Sequence, residues 1–431
     1  MTTISVFSPS HNPRFLDQCW ASLKGQTIQS FEWIVVLNQG ARWACDDPRV
    51  KVVIADEIRG VGAAKHHACA LATGTVLVEL DHDDLLTCDA LGIIVAAFDA
   101  LPEVGFVYSD GAQITEDGDE DTTTWDTNNG WEYHPEVVEV SDGDERFDTD
   151  PHKKAVLAVD ALEPTPHNLS FVWWAPNHVR AFRRSAYEKA GGYDITRDFL
   201  DDQDLMCRMY QVTEFFHITQ ALYLQRVHPG NTQAQAAINA AIQTGTVELH
   251  DQYIEPMTLA WAKRKKLKAL DLGGAHSSPP GYLSVDLVEP ADYVGDVFDV
   301  LGKMEDSSAG VVRAQDFIEH IPTVDTVRLI NEIWRVLAPD GMLLSMTPSV
   351  DGRGAFQDPT HLSYWSDNNW WYFTDVAYQR FVPAITARFQ TSRCITYFPD
   401  EFHKIHDIPY VRFDGICLKP GGVRNGGYLR W

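Results

Sequence analysis

Long apolar runs are missing from this sequence. The longest, Leu91 to Phe98, falls well short of the roughly 18 residues that a membrane span needs, so no transmembrane segment is expected. Cysteine is scarce as well. Seven residues (19, 45, 69, 88, 207, 394 and 417) are scattered, odd in number and contain no C-x-x-C pair, which speaks against a disulfide framework and a cysteine-based zinc site. Met1 to Phe15 shows no basic stretch followed by an apolar core, so no secretory signal is expected and the reading is soluble and cytoplasmic. Positive charge is the third deficit: 35 Lys and Arg stand against 61 Asp and Glu, a formal net charge of −26 over 431 residues. Nucleic acids and anionic lipid surfaces are bound through basic patches, so neither is an expected partner. A phosphate-bearing ligand would need a divalent cation between itself and the protein.

Apolar residues make up 45% of the chain and aromatics 11%, ample for buried cores. The length corresponds to two or three domains. The acid is unevenly spread. Glu116 to Asp150 carries 14 carboxylates and one base, Arg146, which is half of the whole surplus. Periodicity fades there into Gly, Asp, Thr and Asn, and the stretch reads as a long loop or insertion.

The N-terminal quarter alternates strand and helix patterns. Ile4–Ser8, Trp33–Leu37, Lys51–Ala55 and Val76–Leu80 read as strands, while Phe15 to Leu23 and Gly62–Ala72 read as helices. The β-α-β-β-α-β order predicts an α/β sheet with ligands at the carboxyl ends of its strands. Asp81-His82-Asp83-Asp84 stands at such an end. Clustered carboxylates there suit a hard divalent cation, which takes oxygen ligands; a helix N-cap with first-turn acids before Leu85 and Leu86 is the plainer alternative.

Several segments, in order, carry a resemblance: Ile4 to Asn12, Trp20 to Gln26, Phe31 to Val36, Gly62 to Gly74, Asp81-His82-Asp83, and Phe106 to Asp110. Phe182 to Ser185, Gly191 to Asp194, Asp201 to Leu205 and Gln225 to Asn231 follow. Over about 230 residues the chain resembles the family 2 inverting glycosyltransferases. The resemblance implies the GT-A fold, a Rossmann-like sheet that binds a nucleotide diphosphate sugar. Ser8, Pro9 and Asn38 would line the base and ribose, with Asn38 standing where many relatives have an aspartate. Lys65, in place of a common arginine, would reach the diphosphate. Asp81 would contact ribose or metal, and Asp83 and His228 would join it around Mn²⁺ or Mg²⁺. Asp202 matches the catalytic base, with Asp201 or Asp204 as neighbouring alternatives, and adjacent carboxylates are expected to raise its proton affinity. Trp173 and Trp174 would offer an acceptor-side platform, although core packing is the commoner fate of such residues. The acceptor would be a glycan, lipid-linked or protein acceptor. The acidic stretch either shapes acceptor choice or is a solvated loop.

A second strand-and-glycine pattern begins at Lys268. Lys268 to Gly274 reads as a strand entering a glycine turn, and Tyr282 to Asp286 as a strand ending in an acid. With Ala291 to Asp296, Phe317 to Pro322, Asn331 to Gly341, Leu344 to Pro348 and Asp358 to His361, this part resembles class I S-adenosylmethionine-dependent methyltransferases. The resemblance implies that Asp271, Gly273 and Gly274 line the methionyl part, Asp286 the ribose and Asp296 the adenine of S-adenosylmethionine. Glu319 and His320 would lie near the methyl group, with His320 as base for a sugar hydroxyl. The loop Gly273-Gly274-Ala275 departs from the usual G-x-G, which puts the methionine end in question. His361 faces an acceptor or caps a turn, and Trp365, Trp370, Trp371, Tyr372 and Phe373 either bind glycan or pack in a core.

The expected organisation is therefore a GT-A domain over 1–232 with its acidic insertion at about 116–150, a helical linker over 233–265, and a methyltransferase-like domain over 266–431. The expected activity is metal-dependent inverting sugar transfer joined to O-methylation of a sugar. The alternatives are an inactive methyltransferase-like scaffold, a non-catalytic glycan-binding or assembly protein, and a nucleotidyltransferase.

Overall fold

Ile4–Ser10 (β1) is buried along its whole length, as a strand covered on both faces must be. Its backbone is paired in parallel on either side, Ile4 lying opposite Phe31 of β2 (Phe31–Leu37) and Val76 of β4 (Val76–Glu79). The remaining strands of this sheet are β3 (Val50–Ile54), β5 (Leu85–Leu86), β6 (Val104–Thr115), β7 (Tyr133–Val140), β8 (His152–Val159), β9 (Arg180–Arg183) and β10 (Glu214–Val227), in the order β3-β2-β1-β4-β9-β6-β10-β5 with β7 and β8 attached to β6. The computed structural model describes residues 2–124, 131–143, 151–170, 176–231 and 236–420.

Helices Leu16–Lys24 and Ala90–Ala100 cover one face of the sheet around Val6, Trp33 and Val78; helices Val61–Leu71 and Asp201–Val212 cover the other around Phe7, Leu77 and Phe182. The side-chain period of two assigns alternate residues of each strand to these two cores. Glu79 shares the second face with Leu77, so a carboxylate is carried into that core.

Two expectations change here. Leu85 and Leu86 form a strand paired with β10, and the next helix starts only at Ala90, so Asp81–Asp84 is a turn between strands and caps no helix. The acidic stretch, read as a loop, contains β7, which pairs antiparallel with β8 from Tyr133–Val159 to Val140–His152. Val138 and Val140 point inward while Val137 and Glu139 face solvent, as in a regular alternating strand; Glu136, on the inward side, accepts from the Ala221 backbone at 3.1 Å. Residues 125–130 and 144–150 of that stretch, with Trp173 and Trp174, lie outside the described residues.

The chain divides into two compact units, Met1–Pro164 with Trp173–Leu249, and Thr165–Val172 with His250–Trp431. The division falls within the helix Ala236–Arg264 rather than on either side of a linker over 233–265. Thr165–Val172 joins the second unit, where Ser170 Oγ lies 2.6 Å from Ser392 Oγ and His250 Nε2 lies 2.8 Å from the same hydroxyl.

The second unit has seven strands: β11 (Lys268–Leu272), β12 (Leu283–Asp286), β13 (Tyr293–Val294), β14 (Ala309–Gln315), β15 (Leu337–Pro348), β16 (Phe389–Tyr397) and β17 (Tyr410–Cys417). Their order is β13-β12-β11-β14-β15-β17-β16, parallel from β13 to β15, with β17 antiparallel to both neighbours. The order reverses at β11–β14, the kind of point where open α/β sheets bind ligands. Trp365, Trp370 and Phe373 belong to this core, Trp370 stacking on Phe413 at 4.0 Å; Trp371 is 43% exposed. Among the described residues no helix is long and apolar enough to cross a membrane.

Candidate functional site

At the carboxyl end of β4, Glu79 sits directly across from Arg180 of β9. A lone buried carboxylate would be strongly disfavoured, and the fold surrounds this one with partners. Lys65 Nζ, from the helix Val61–Leu71, lies 2.6 Å from Glu79 and 3.0 Å from Asp201. Tyr193 donates its hydroxyl to Glu79 at 3.2 Å. Arg180 in turn pairs with Asp202. These groups form one alternating network of charge, assembled from two strands, the helix Val61–Leu71, the start of the helix Asp201–Val212 and a loop.

The network sets the protonation of its members. Burial pushes Lys65 down, but Asp201 and Glu79 outweigh it and hold the ammonium well above its ordinary value. Burial pushes Glu79 up, and Lys65, His178 and Arg180 pull it well below the carboxylate range. Asp201 goes the other way, raised to about 6, because its burial and the charge of Asp202 exceed the help from Lys65. Asp202 is also desolvated, yet Arg180 and Lys65 bring it below its ordinary value. The expected rise in proton affinity at Asp202 is therefore overturned: cations win there, and the raised carboxyl is Asp201. Of these two, Asp202 has a side chain 22% exposed while Asp201 is buried. Asp204 is buried and taken up by Arg208 at 2.5 Å. Leu200, just before the pair, has φ +59°, a left-handed conformation that costs a branched residue about 1–2 kcal/mol and turns the chain into the helix at this point.

The Asp81–Asp84 turn separates into two halves. The Asp81 side chain is 35% exposed, and His178 Nε2 lies 3.6 Å from it; donor atoms of Glu79, Asp81 and His178 all lie within 4.8 Å of one another. Both nitrogens of His178 are buried without a hydrogen-bond partner, the ring stacking on Tyr223 at 4.6 Å. Asp83 instead meets His228, Nε2 to Oδ2 at 3.0 Å. The backbone N–H of Gly230 donates to His228 Nδ1 at 3.1 Å, so Nδ1 accepts and Nε2 carries the proton toward Asp83. Thus His228 orients Asp83 and has no free lone pair for a metal. Asp84 is buried, accepting from Tyr223 Oη at 2.7 Å and from the Arg226 backbone at 2.7 Å.

Four more expected site residues are buried or already engaged. Lys65 is neutralised by Glu79 and Asp201 and is not free to meet a diphosphate. Ser8 is buried, donating to the Leu80 carbonyl at 2.5 Å and accepting from the Trp33 indole at 2.9 Å, so its side chain cannot line a nucleotide. Asn38 is buried with its amide on the Ile58 carbonyl at 3.4 Å. Pro9 is buried too, and His82 Nδ1 lies 3.3 Å from its carbonyl. Reading the sequence missed Glu79, His178 and Arg180. A Glu inside the apolar run Val76–Leu80, and a basic pair two residues apart at 178 and 180, were the available signals.

Beside this network, a small open cleft is lined by Gly111, Gln113, Tyr133, Asn177, His178 and Tyr223. His178 also neighbours Asp81, and Tyr223 stacks on His178 and donates to Asp84.

Residues 5–138 match the family model described as glycosyl transferase family 2. The matched residues all lie in the first unit. Its similar proteins include the O-antigen biosynthesis protein RfbC of Myxococcus xanthus, 25% identical over 256 residues, which are 56% of this chain and 17% of that protein. Chondroitin synthase of Pasteurella multocida is 21% identical over 239 residues, 53% of this chain and 21% of that protein. The chain thus spans about a fifth of the length of the curated relatives it matches. Among solved structures, S. aureus TarS in complex with UDP-GlcNAc shares 15% identity at a TM-score of 0.41, covering 61% of this chain and 71% of that one.

In the second unit, β11 ends at Asp271-Leu272 and turns through Gly273, φ +79°. A Cβ on Gly273 would meet Phe317 at 2.8 Å, and one on Gly274 would meet Asp271 Oδ2 at 2.3 Å. Asp271 is buried, with Arg313 at 2.9 Å on one oxygen and no hydrogen-bond partner on the other. Asp286, at the end of β12, accepts from the Ala275 backbone at 3.1 Å. Asp296 caps the helix Val297–Gly302 through the Phe298 N–H at 2.9 Å, so at least one of its oxygens has a structural duty in place of a cofactor contact. Glu319 is buried, while His320 and His361 are partly exposed with ring centroids 5.0 Å apart.

Proposed function

We propose that the first unit transfers a sugar, with inversion, from a nucleotide diphosphate donor to a glycan, lipid-linked or protein acceptor. The observation that carries the reading is Asp202: an ionised, partly exposed carboxylate fixed by Arg180 in the network that holds Glu79, next to the Asp81 and His178 pair. Asp202 takes the acceptor hydroxyl's proton as that oxygen bonds to the anomeric carbon and the bond to the diphosphate oxygen breaks. Asp81 and Asp83, with hard oxygen donors at a strand end, would hold Mn²⁺ or Mg²⁺, which supplies counter-charge to the diphosphate when bound. The donors grouped with Asp81 are Glu79 and His178, and this favours His178 over His228 as the nitrogen nearest such an ion. The cleft that shares His178 is the acceptor side in this reading. Asp121, Thr123 and Tyr133 of the acidic stretch line it, which favours an acceptor-shaping role for that stretch. A panel of nucleotide sugars with Mn²⁺ should release nucleotide diphosphate from one of them, and EDTA should suppress the release at least tenfold. Release unchanged by EDTA would remove the cation from the reading; no release from any donor, with folded protein, would remove the activity.

For the second unit we infer a class I methyltransferase-like role, acting on a sugar. The parallel core with its order reversal at β11–β14, the Gly273 turn and the fixed Asp286 support it. His320 Nε2 is the candidate proton acceptor. Linkage to the first unit would raise the local concentration of one product at the next site. Calorimetric titration with S-adenosylmethionine should give saturable heat at one site per chain. No heat and no thermal shift would leave the unit as a scaffold.

A further inference from the structure

We propose that Glu319, His320 and His361 of the second unit form a site for a divalent transition-metal ion such as Zn²⁺ or Mn²⁺. One donor atom from each lies within 4.8 Å of the others; donors about 2.1 Å from a single ion stand about 3–3.4 Å apart, a difference that side-chain rotation can close. Proximity alone would carry little. Each of the three side chains also has one polar atom engaged by the protein and another left over.

His320 Nδ1 lies 3.3 Å from the Thr360 carbonyl and 3.1 Å from its hydroxyl. His361 Nδ1 lies 3.0 Å from the Ala355 carbonyl. A carbonyl only accepts, so each ring carries its proton on Nδ1, and each Nε2 is left with a lone pair. Metal-bound imidazoles are held in this way, the far nitrogen donating to a backbone carbonyl that fixes tautomer and ring orientation. Glu319 shows the same division. Its Oε2 accepts from Thr347 Oγ1 at 2.8 Å, while Oε1 is buried with no hydrogen-bond partner. A buried carboxylate oxygen without a donor is costly and calls for a cation or a proton.

Two imidazole nitrogens and one carboxylate oxygen suit zinc, manganese or iron rather than calcium. Both histidines are partly exposed, so positions on the ion would stay open to a ligand from solvent. A bound ion would take the His320 lone pair that the base role needs, and a hydroxyl would then be activated by the ion. The site itself does not depend on the methyl-transfer reading.

The test uses untagged full-length protein, stripped with chelator and titrated with Zn²⁺ and Mn²⁺ by calorimetry, with metal content measured after gel filtration. His361→Ala and His320→Ala should each remove one tight equivalent and the accompanying thermal stabilisation, whereas Asp83→Asn should leave that equivalent in place. His361→Gln, which keeps bulk and a polar tip, serves if the alanine variant folds poorly, with circular dichroism as the check. Wild-type protein that binds no ion, or a tight equivalent that survives both histidine replacements, overturns the proposal.

Discussion

Replacing Asp202 by Asn should lower the rate of sugar transfer by about 10²–10⁴, the range that a positioned general base contributes, while donor KM changes by no more than a few-fold. The carboxamide keeps the shape and one accepting oxygen, enough for either Arg180 on Oδ2 or the Gln203 backbone, which donates to Asp202 Oδ1 at 2.8 Å, but not for both. It cannot take a proton at neutral pH. Single-turnover rates and a denaturation midpoint measured side by side separate lost chemistry from lost fold. Near-wild-type turnover would move the base to another residue. The pH profile supplies a second reading of the same group. Asp202 must be ionised to act, and its folded value lies below the ordinary one because Arg180 and Lys65 outweigh burial. Its active form therefore persists down through the ordinary carboxylate range, and an acid limb of kcat/KM near 6 would instead report a group with the raised affinity of Asp201.

Lys65→Met should destabilise the first unit by about 3–5 kcal/mol, the cost of removing one partner from a buried ion cluster. Its ammonium is enclosed by Glu79 and Asp201, and without it two buried carboxylates face each other beside Asp202. Urea midpoints give the loss. The double replacement Lys65→Met with Glu79→Gln should recover part of it, since the two residues are in contact and their effects couple. Wild-type stability together with a raised donor KM would mean that Lys65 reaches the diphosphate after all, as its place in the family pattern implies.

The strands β1 to β4 and the helices between them were legible because a buried α/β sheet is written in apolar runs and helical spacing. Asp81, Asp83 and Asp202 could be picked out because carboxylates at strand ends and helix starts are local features. β7 escaped because its buried face consists of only Val138 and Val140, while the dense acid around it suggests a coil.

The roles within the site were decided elsewhere. Lysine is long enough to turn outward or inward, and only the antiparallel pairing that sets Glu79 against Arg180, with Asp201 brought up by its helix, draws Lys65 into the interior. A histidine in a loop has two possible tautomers, and the Gly230 N–H fixed that of His228, just as two backbone carbonyls fixed His320 and His361 in the opposite sense. Sequence by itself determined the α/β class, the strand ends and the chemical groups available there. Tertiary structure alone decided which of those groups are neutralised and which keep a free lone pair, because charge and proton position depend on partners far apart in the chain.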